Sequence, residues 1–280
     1  MKAKRKRRIA ANPSSPAPHV LWRGVFITGT DTAVGKTLVT TALALCLAQR
    51  GLSVGAMKPV ETGYGDGGVA NSDAARLYTA AGMRAPVDTM CPYRFPDPLA
   101  PLDAARRAGT TIRLQKIVTA FRSLAARYEV MLVEGAGGVL VPLSERADMR
   151  DLIERIGLPV LVVGRTSLGG INHVLLTVEA LARRNIAIAG IILNRTKAAA
   201  RGTVDGMQES STLALLRERI GVPVVGPVSY EPLLGHSWEQ GLATMAGSAA
   251  ISELADLVMG TATGRRAPRP ARPAPARSRK

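Results

Sequence analysis

A chain of 280 residues with 46% apolar content can bury one sizeable core and is too short for several. No apolar run reaches the roughly 18 residues that span a bilayer, and the basic first residues lack the apolar segment of a secretory signal, so a soluble, cytoplasmic protein with no membrane partner is expected. The formal net charge of +16 invites a nucleic-acid reading, yet residues 1–22 hold six Lys and Arg, residues 263–280 hold seven, and neither segment holds an acid, which leaves only +3 for the body between them.

Both ends are rich in Pro, Ala and Ser and cannot bury enough apolar surface to offset the entropy of ordering them. They read as disordered, solubilising tails, and nucleic acid is not expected as a partner. Residues 23–262 then form one domain. Its first strand, Val25–Thr28, leads into "GTDTAVGKT", Gly29–Thr37, and a helix over 36–51 follows. Further along come a strand Val54–Val60, helices over 72–82 and 112–128, and strands Val130–Glu134 and Pro159–Val163. A helix over 171–185 and strands Ile188–Asn194 and Val222–Val228 complete the pattern. Runs such as "PVLVVG" and "IAIAGIIL" are apolar almost throughout, as strands covered on both faces must be. The fold class is therefore α/β: a single P-loop NTPase-like domain, mostly parallel sheet with helices on both faces. Cys46 and Cys91 lie far apart without metal-ligand spacing and read as ordinary thiols.

The glycine loop has five residues between Gly29 and Gly35 where the usual phosphate-binding loop has four. Its position between a buried strand and a helix decides in its favour. Backbone N–H groups of such a loop converge on phosphate oxygens beside the positive end of the helix dipole, Lys36 reaches the β- and γ-phosphates, and the Thr37 hydroxyl can ligate Mg²⁺. Ligands of open α/β sheets bind outside the carboxyl ends of the strands. Lys58 in "AMKPVETG", Glu134 in "VEGAGG" and Asn194 in "ILNRT" stand at such ends, while Asp73 in "NSD" and Asn172 in "LGGINH" precede helices. Singly each has a plain explanation as a cap or strand-end charge. Together they describe a magnesium-nucleotide site with a further cation.

From about residue 24 to 259 the chain resembles the dethiobiotin synthetases, ATP-dependent carboxylases of biotin biosynthesis, through "GTDTAVGKT", "KPVETG", "NSDAARL", "PYRFPDPLAP", "VEGAGGVLVPL", "LGGINHVLLT" and "ILNR" in that order. The resemblance implies a homodimer with its substrate pocket at the interface. It would close the ureido ring of dethiobiotin from 7,8-diaminopelargonate, CO₂ and ATP, with Mg²⁺ as cofactor, through a carbamate and a carbamic-phosphoric anhydride. By motif match, Gly29, Thr30, Asp31, Thr32, Ala33, Val34, Gly35, Lys36 and Thr37 would hold the nucleotide and Asn194 would read adenine. Thr37, Asp73 and Glu134 would surround the metal, and Lys36 and Lys58 would be the catalytic cations, Lys58 facing carbamate and γ-phosphate. Thr62 would lie beside the carbamate, Gly137 and Gly138 along the substrate, and Asn172 at the substrate carboxylate across the dimer interface. The match has gaps: Ala33 stands where many relatives carry Glu, Leu102 where His is common, and His236 is no evident substitute. No tyrosine near Gln208 serves the carboxylate pocket, so Glu209 or Ser210 is the candidate there.

Two other classes share parts of this pattern. A partitioning-type ATPase that binds DNA or a protein partner normally carries a second lysine near the start of its loop, where this chain has Thr30 and Asp31. A cobyrinate-type amide-forming ligase needs a further glutaminase domain, which the roughly 85 residues after Asn194 are too few to form.

Overall fold

A computed structural model of the chain describes residues 22–64, 72–198 and 202–260. The two basic tails assigned from composition lie outside the described residues except at Trp22, whose ring meets Phe121 edge-on with centroids 6.1 Å apart. In chain order the elements are β1 (Gly24–Gly29), α1 (Lys36–Gln49), β2 (Val54–Met57), β3 (Val60–Thr62), α2 (Asp73–Ala80), α3 (Val87–Met90), β4 (Tyr93–Phe95), α4 (Pro101–Arg107) and α5 (Leu114–Ala125). Then follow β5 (Val130–Gly138), β6 (Pro142–Ser144), β7 (Ala147–Asp148), α6 (Met149–Ile156), β8 (Val160–Arg165), α7 (Gly170–Ala182), β9 (Ile188–Asn194), α8 (Val204–Arg219), β10 (Val224–Val228), α9 (Trp238–Ala246) and α10 (Ala249–Gly260).

Six strands form one sheet in the order β10-β9-β8-β1-β5-β2, and every pairing in it is parallel. All residues of β1, β2 and β9 are buried. Since successive side chains of a strand point to opposite faces, this requires cover on both. Helices α1, α2, α9 and α10 pack together as one set, and α5 with α6 and α7 with α8 as the other. Among the described residues no single helix is long and apolar enough to cross a membrane, and the apolar pair α9–α10, bent by 64°, packs on α1.

The expected strands shift at their ends, by up to two residues at β1, β8 and β10, and two differ more, for physical reasons. The run Val54–Val60 is two strands, because the chain leaves the main sheet at Lys58, whose N–H donates to the Met90 carbonyl (3.0 Å). Pro59 follows with no N–H to offer a neighbour. Val60–Thr62 then pairs with Tyr93–Phe95 in a separate two-stranded sheet. Strand β5 runs four residues beyond Glu134, so that Gly138 pairs with Gly29 at the foot of the glycine loop. The expected helices after β1, after β3 and around α5 and α7 are present, and α3, α4, α6, α8, α9 and α10 fill stretches that periodicity left unassigned. Both cysteines are free and buried, and burial pushes the Cys91 thiol up to about 12.

The central strand opens on a position that only glycine tolerates. Gly24 has φ +139°, and a Cβ there would stand 1.9 Å from the Met131 carbonyl oxygen of β5. Substitution Gly24→Ala must therefore push apart the pair of strands that carries the glycine loop and Glu134. A loss on the order of 3 kcal/mol is expected, from backbone strain plus a displaced ladder, measured as a fall in denaturation midpoint against the parent chain. An unchanged midpoint would refute the close approach of β1 and β5.

Candidate active site

Helix α1 starts without a side-chain cap: its N-cap is Gly35, and no acid lies in its first turn. The first N–H groups of the helix thus have no acceptor supplied by a side chain, an arrangement suited to an anion. Gly35 takes φ +93°, and a Cβ on it would lie 2.2 Å from the Asn194 amide nitrogen. Glycine therefore serves both the left-handed turn and the close approach of β9. The Asn194 side chain donates to the Val34 carbonyl (3.0 Å), while its own Oδ1 is buried with no partner among the described residues. Lys36 folds back over the loop and donates to the Asp31 carbonyl (3.0 Å). Burial lowers its pKa from the ordinary lysine value, with Glu134 pulling the other way.

Next to the loop, three strand and helix ends converge. Glu134, fully buried on β5, accepts from the Thr37 hydroxyl (2.8 Å) and from the Lys58 ammonium. Lys58, only 4% exposed, also donates to Asp73 (3.0 Å). Burial opposes its charge, but Glu134 and then Asp73 outweigh burial and raise its pKa above the ordinary lysine value. Burial likewise works against the Asp73 carboxylate, and the Lys58 ammonium with the Thr37 hydroxyl more than offsets it, holding Asp73 below its ordinary value. The second Glu134 oxygen, Oε2, is buried with no partner among the described residues. Sequence reasoning missed Glu61, which sits inside the quoted "KPVETG". Buried on β3, it accepts from the backbone N–H groups of Asp73 (2.6 Å) and Ala74 (3.4 Å) and so aims the start of α2 at Lys58. Burial raises its pKa above the ordinary glutamate value against the pull of Lys58.

A cleft of about 420 Å³ opens here, lined by Thr32, Ala33, Gly35, Lys36, Thr37, Lys58, Thr62, Asp73 and Gly137 from the expected set, and by Glu61, Arg76 and Trp238, which were not expected. Thr30 and Val34 lie in the loop around it, and Asp31 is exposed. Gly138 is a backbone rung against Gly29, and Asn194 stands behind the loop. Asn172 is not brought to the cleft and is exposed on α7. Leu102 lines a separate groove against Leu143, and His236 is exposed. Glu209 is engaged by Arg195 through Nε (2.8 Å), and the Ser210 hydroxyl donates to the Gly206 carbonyl (3.0 Å). In this structure both side chains are thus engaged within the chain.

Residues 23–237 match the family model described as an AAA domain. The ATP-dependent dethiobiotin synthetase of Anaeromyxobacter dehalogenans strain 2CP-C is 52% identical over 62% of this chain and 77% of its own length. The chain belongs to the ATP-dependent dethiobiotin synthetase family. The corresponding synthetase of Thermodesulfovibrio yellowstonii is 40% identical over 74% of this chain and 88% of its own length. Among solved structures, the MinC:MinD cell division protein complex of Aquifex aeolicus superposes with TM-score 0.51 at 16% identity, covering 85% of this chain and 96% of that one, a likeness of P-loop fold alone.

The Lys58–Glu134 pair should behave as a buried ion pair does. Lys58→Met leaves an uncompensated carboxylate and is expected to cost about 3 kcal/mol of stability, whereas the double variant Lys58→Met with Glu134→Gln should recover most of it. Equal losses in single and double variants would mean that the pair is not coupled. Because the folded pKa of Asp73 is depressed, its contribution is present above the ordinary carboxylate pKa and is lost as pH falls through the folded value. Asp73→Asn is therefore expected to flatten the acid limb of the stability curve, checked by denaturant titrations from neutral pH down to pH about 3.

Proposed function

We propose that this chain converts 7,8-diaminopelargonate, CO₂ and ATP to dethiobiotin, ADP and phosphate, as a cyclo-ligase. The reading rests on one observation above all: a buried lysine kept charged by two carboxylates at the lip of a phosphate loop, in a member of this family. One substrate amine adds to CO₂ and loses a proton, giving a carbamate. A carbamate oxygen attacks the γ-phosphorus as the bond to ADP breaks, and the second amine then attacks the carbonyl carbon and expels phosphate.

Each intermediate is an anion, and the cleft supplies fixed positive charge. Lys58, which Glu134 and Asp73 favour in its charged form, contributes electrostatically in this reading. Lys36 and the uncapped amides of α1 take the β- and γ-phosphates, and the Thr62 hydroxyl faces the carbamate. The orphaned Oδ1 of Asn194 is an acceptor suited to the adenine amino group.

The oxygen donors fit Mg²⁺. Thr37, Asp73 and Glu134 present a hydroxyl and two carboxylates, with Glu134 Oε2 unpartnered. Among the described residues no group of three or more His, Cys, Asp or Glu is placed to hold a metal ion, so Mg²⁺ here would also need phosphate oxygens and water. When bound, the metal would neutralise charge on the triphosphate. Asn172 meets substrate in this reading only through a second copy. The outward face of α7 and the loop before it favour that arrangement, with Leu168 80% and Leu176 59% exposed.

The deciding assay is mass-spectrometric detection of dethiobiotin from diaminopelargonate, bicarbonate, ATP and Mg²⁺. No product, with ATP hydrolysis stimulated by DNA instead, would favour a partitioning-type ATPase. Lys58→Gln is expected to slow ring closure on the order of a hundredfold, with ATP binding only modestly weaker. Glu134→Gln and Asp73→Asn should each raise the Mg²⁺ concentration needed for half-maximal turnover. Leu176→Glu should shift the sedimentation coefficient to that of a monomer and lower turnover together, and a monomeric parent chain with full activity would sink the shared pocket.

A further inference from the structure

Among the described residues three cations line the cleft, Lys36, Lys58 and Arg76, and only two of them are engaged by oxygens of the chain. Lys36 holds the Asp31 carbonyl, and Lys58 holds Glu134 and Asp73. The Arg76 backbone N–H donates to the Ser72 carbonyl (3.1 Å), but its side chain has neither a hydrogen bond nor an ion pair to a described residue. Its guanidinium instead lies on the indole of Trp238, with Cζ 4.2 Å from the ring centroid. Asp73, three residues earlier on the same face of α2, is already committed to Lys58.

The two partners reach this spot from separate elements. Arg76 comes from α2, which Glu61 fixes at its start. Trp238 is the first residue of α9, whose N-cap Ser237 accepts from the Gln240 N–H (3.4 Å), and α9 packs on α1. Leu38, in the first turn of α1, lines the cleft with them. The pair thus closes over the side of the helix whose N-terminus carries the phosphate loop. Stacking engages the face of a guanidinium and leaves its edge of N–H donors free, the edge that matches phosphate oxygens in pairs.

We propose that Arg76 is a ligand of the nucleotide's phosphate chain and that Trp238 is the positioning residue that holds its donor edge toward the cleft. The inference rests on the ATP-dependent reading above and adds a cation that no motif match assigns. Phosphate is preferred to the substrate carboxylate because Arg76 and Trp238 line the same cleft as Lys36, Thr37 and Leu38, the first residues of the loop's own helix.

The chain has two tryptophans, Trp22 and Trp238. In a full-length Trp22→Phe background the emission of Trp238 reports on the stack alone. Adding Mg·ATP is expected to change that emission, and diaminopelargonate alone is expected not to. In the same background Arg76→Gln should weaken ATP binding by isothermal titration about tenfold, the scale of one charge-assisted hydrogen-bonded contact, and leave diaminopelargonate affinity unchanged. Arg76→Lys should recover part of the loss, and Trp238→Leu should raise KM for ATP with a smaller effect on kcat. A thermal midpoint within a degree or two of the parent in Arg76→Gln would exclude a merely structural role. The proposal is overturned if Arg76→Gln binds ATP as the parent does, or if the loss falls on diaminopelargonate. Failure of the parent itself to bind ATP would instead remove the functional reading on which the proposal stands.

Discussion

Two charges withdrawn from water, the Lys58 ammonium and the Glu134 carboxylate, set the terms for the rest of this molecule. Either one alone in a protein interior would be costly, and each is tolerable because the other is in contact. That contact needs β2 to end where β5 carries its acid, and the register of the two strands, Met57 opposite Val133, brings Lys58 alongside Glu134. It also needs α2 to begin at the same spot with Asp73, which Glu61 secures by accepting two of its first amide hydrogens. Four acidic and basic groups, from the end of β2 and from β3, β5 and α2, thus depend on one another above a largely apolar core.

The parallel sheet turns this local constraint into a site. All six strands point the same way, so the carboxyl ends of β1, β5, β8 and β9 come out along one edge. The glycine loop leaves β1 at the centre of that edge, with Glu134 on one neighbour and the β8 exit on the other. What distinguishes the cleft from a generic nucleotide cradle is its charge pattern. Positive groups on three elements face it, and each sits beside an acid, a carbonyl or a ring that fixes its direction.

Much of this was legible in the sequence because the signals were local. The strand and helix around "GTDTAVGKT" follow from a β-branched run, a left-handed glycine and a long apolar helix, and Ile188–Asn194 follows from an unbroken apolar run. Lys58, Asp73 and Glu134 stood at strand and helix ends, where position alone carries meaning. The failures were of another kind. That Val54–Val60 breaks at Lys58 depends on a carbonyl thirty-two residues on, at Met90, and no window around Pro59 contains it. Glu61 looked like one residue of a motif, and its role as a cap for α2 depends on how β3 pairs with β4. Trp238 and Arg76 meet only because α9 lies on α1 beside α2, a fact of tertiary packing. Asn172 was identified by motif, and a single copy of the chain holds nothing for it to touch in the cleft.

The contact between Gly35 and Asn194 has a consequence for anyone redesigning this enzyme. The amide of residue 194 occupies the space that a side chain at 35 would need, and its N–H holds the Val34 carbonyl. The loop and the end of β9 are therefore a single machined part. A library that varies residue 194 would also be varying the curvature of the phosphate loop, and neither could be changed without the other.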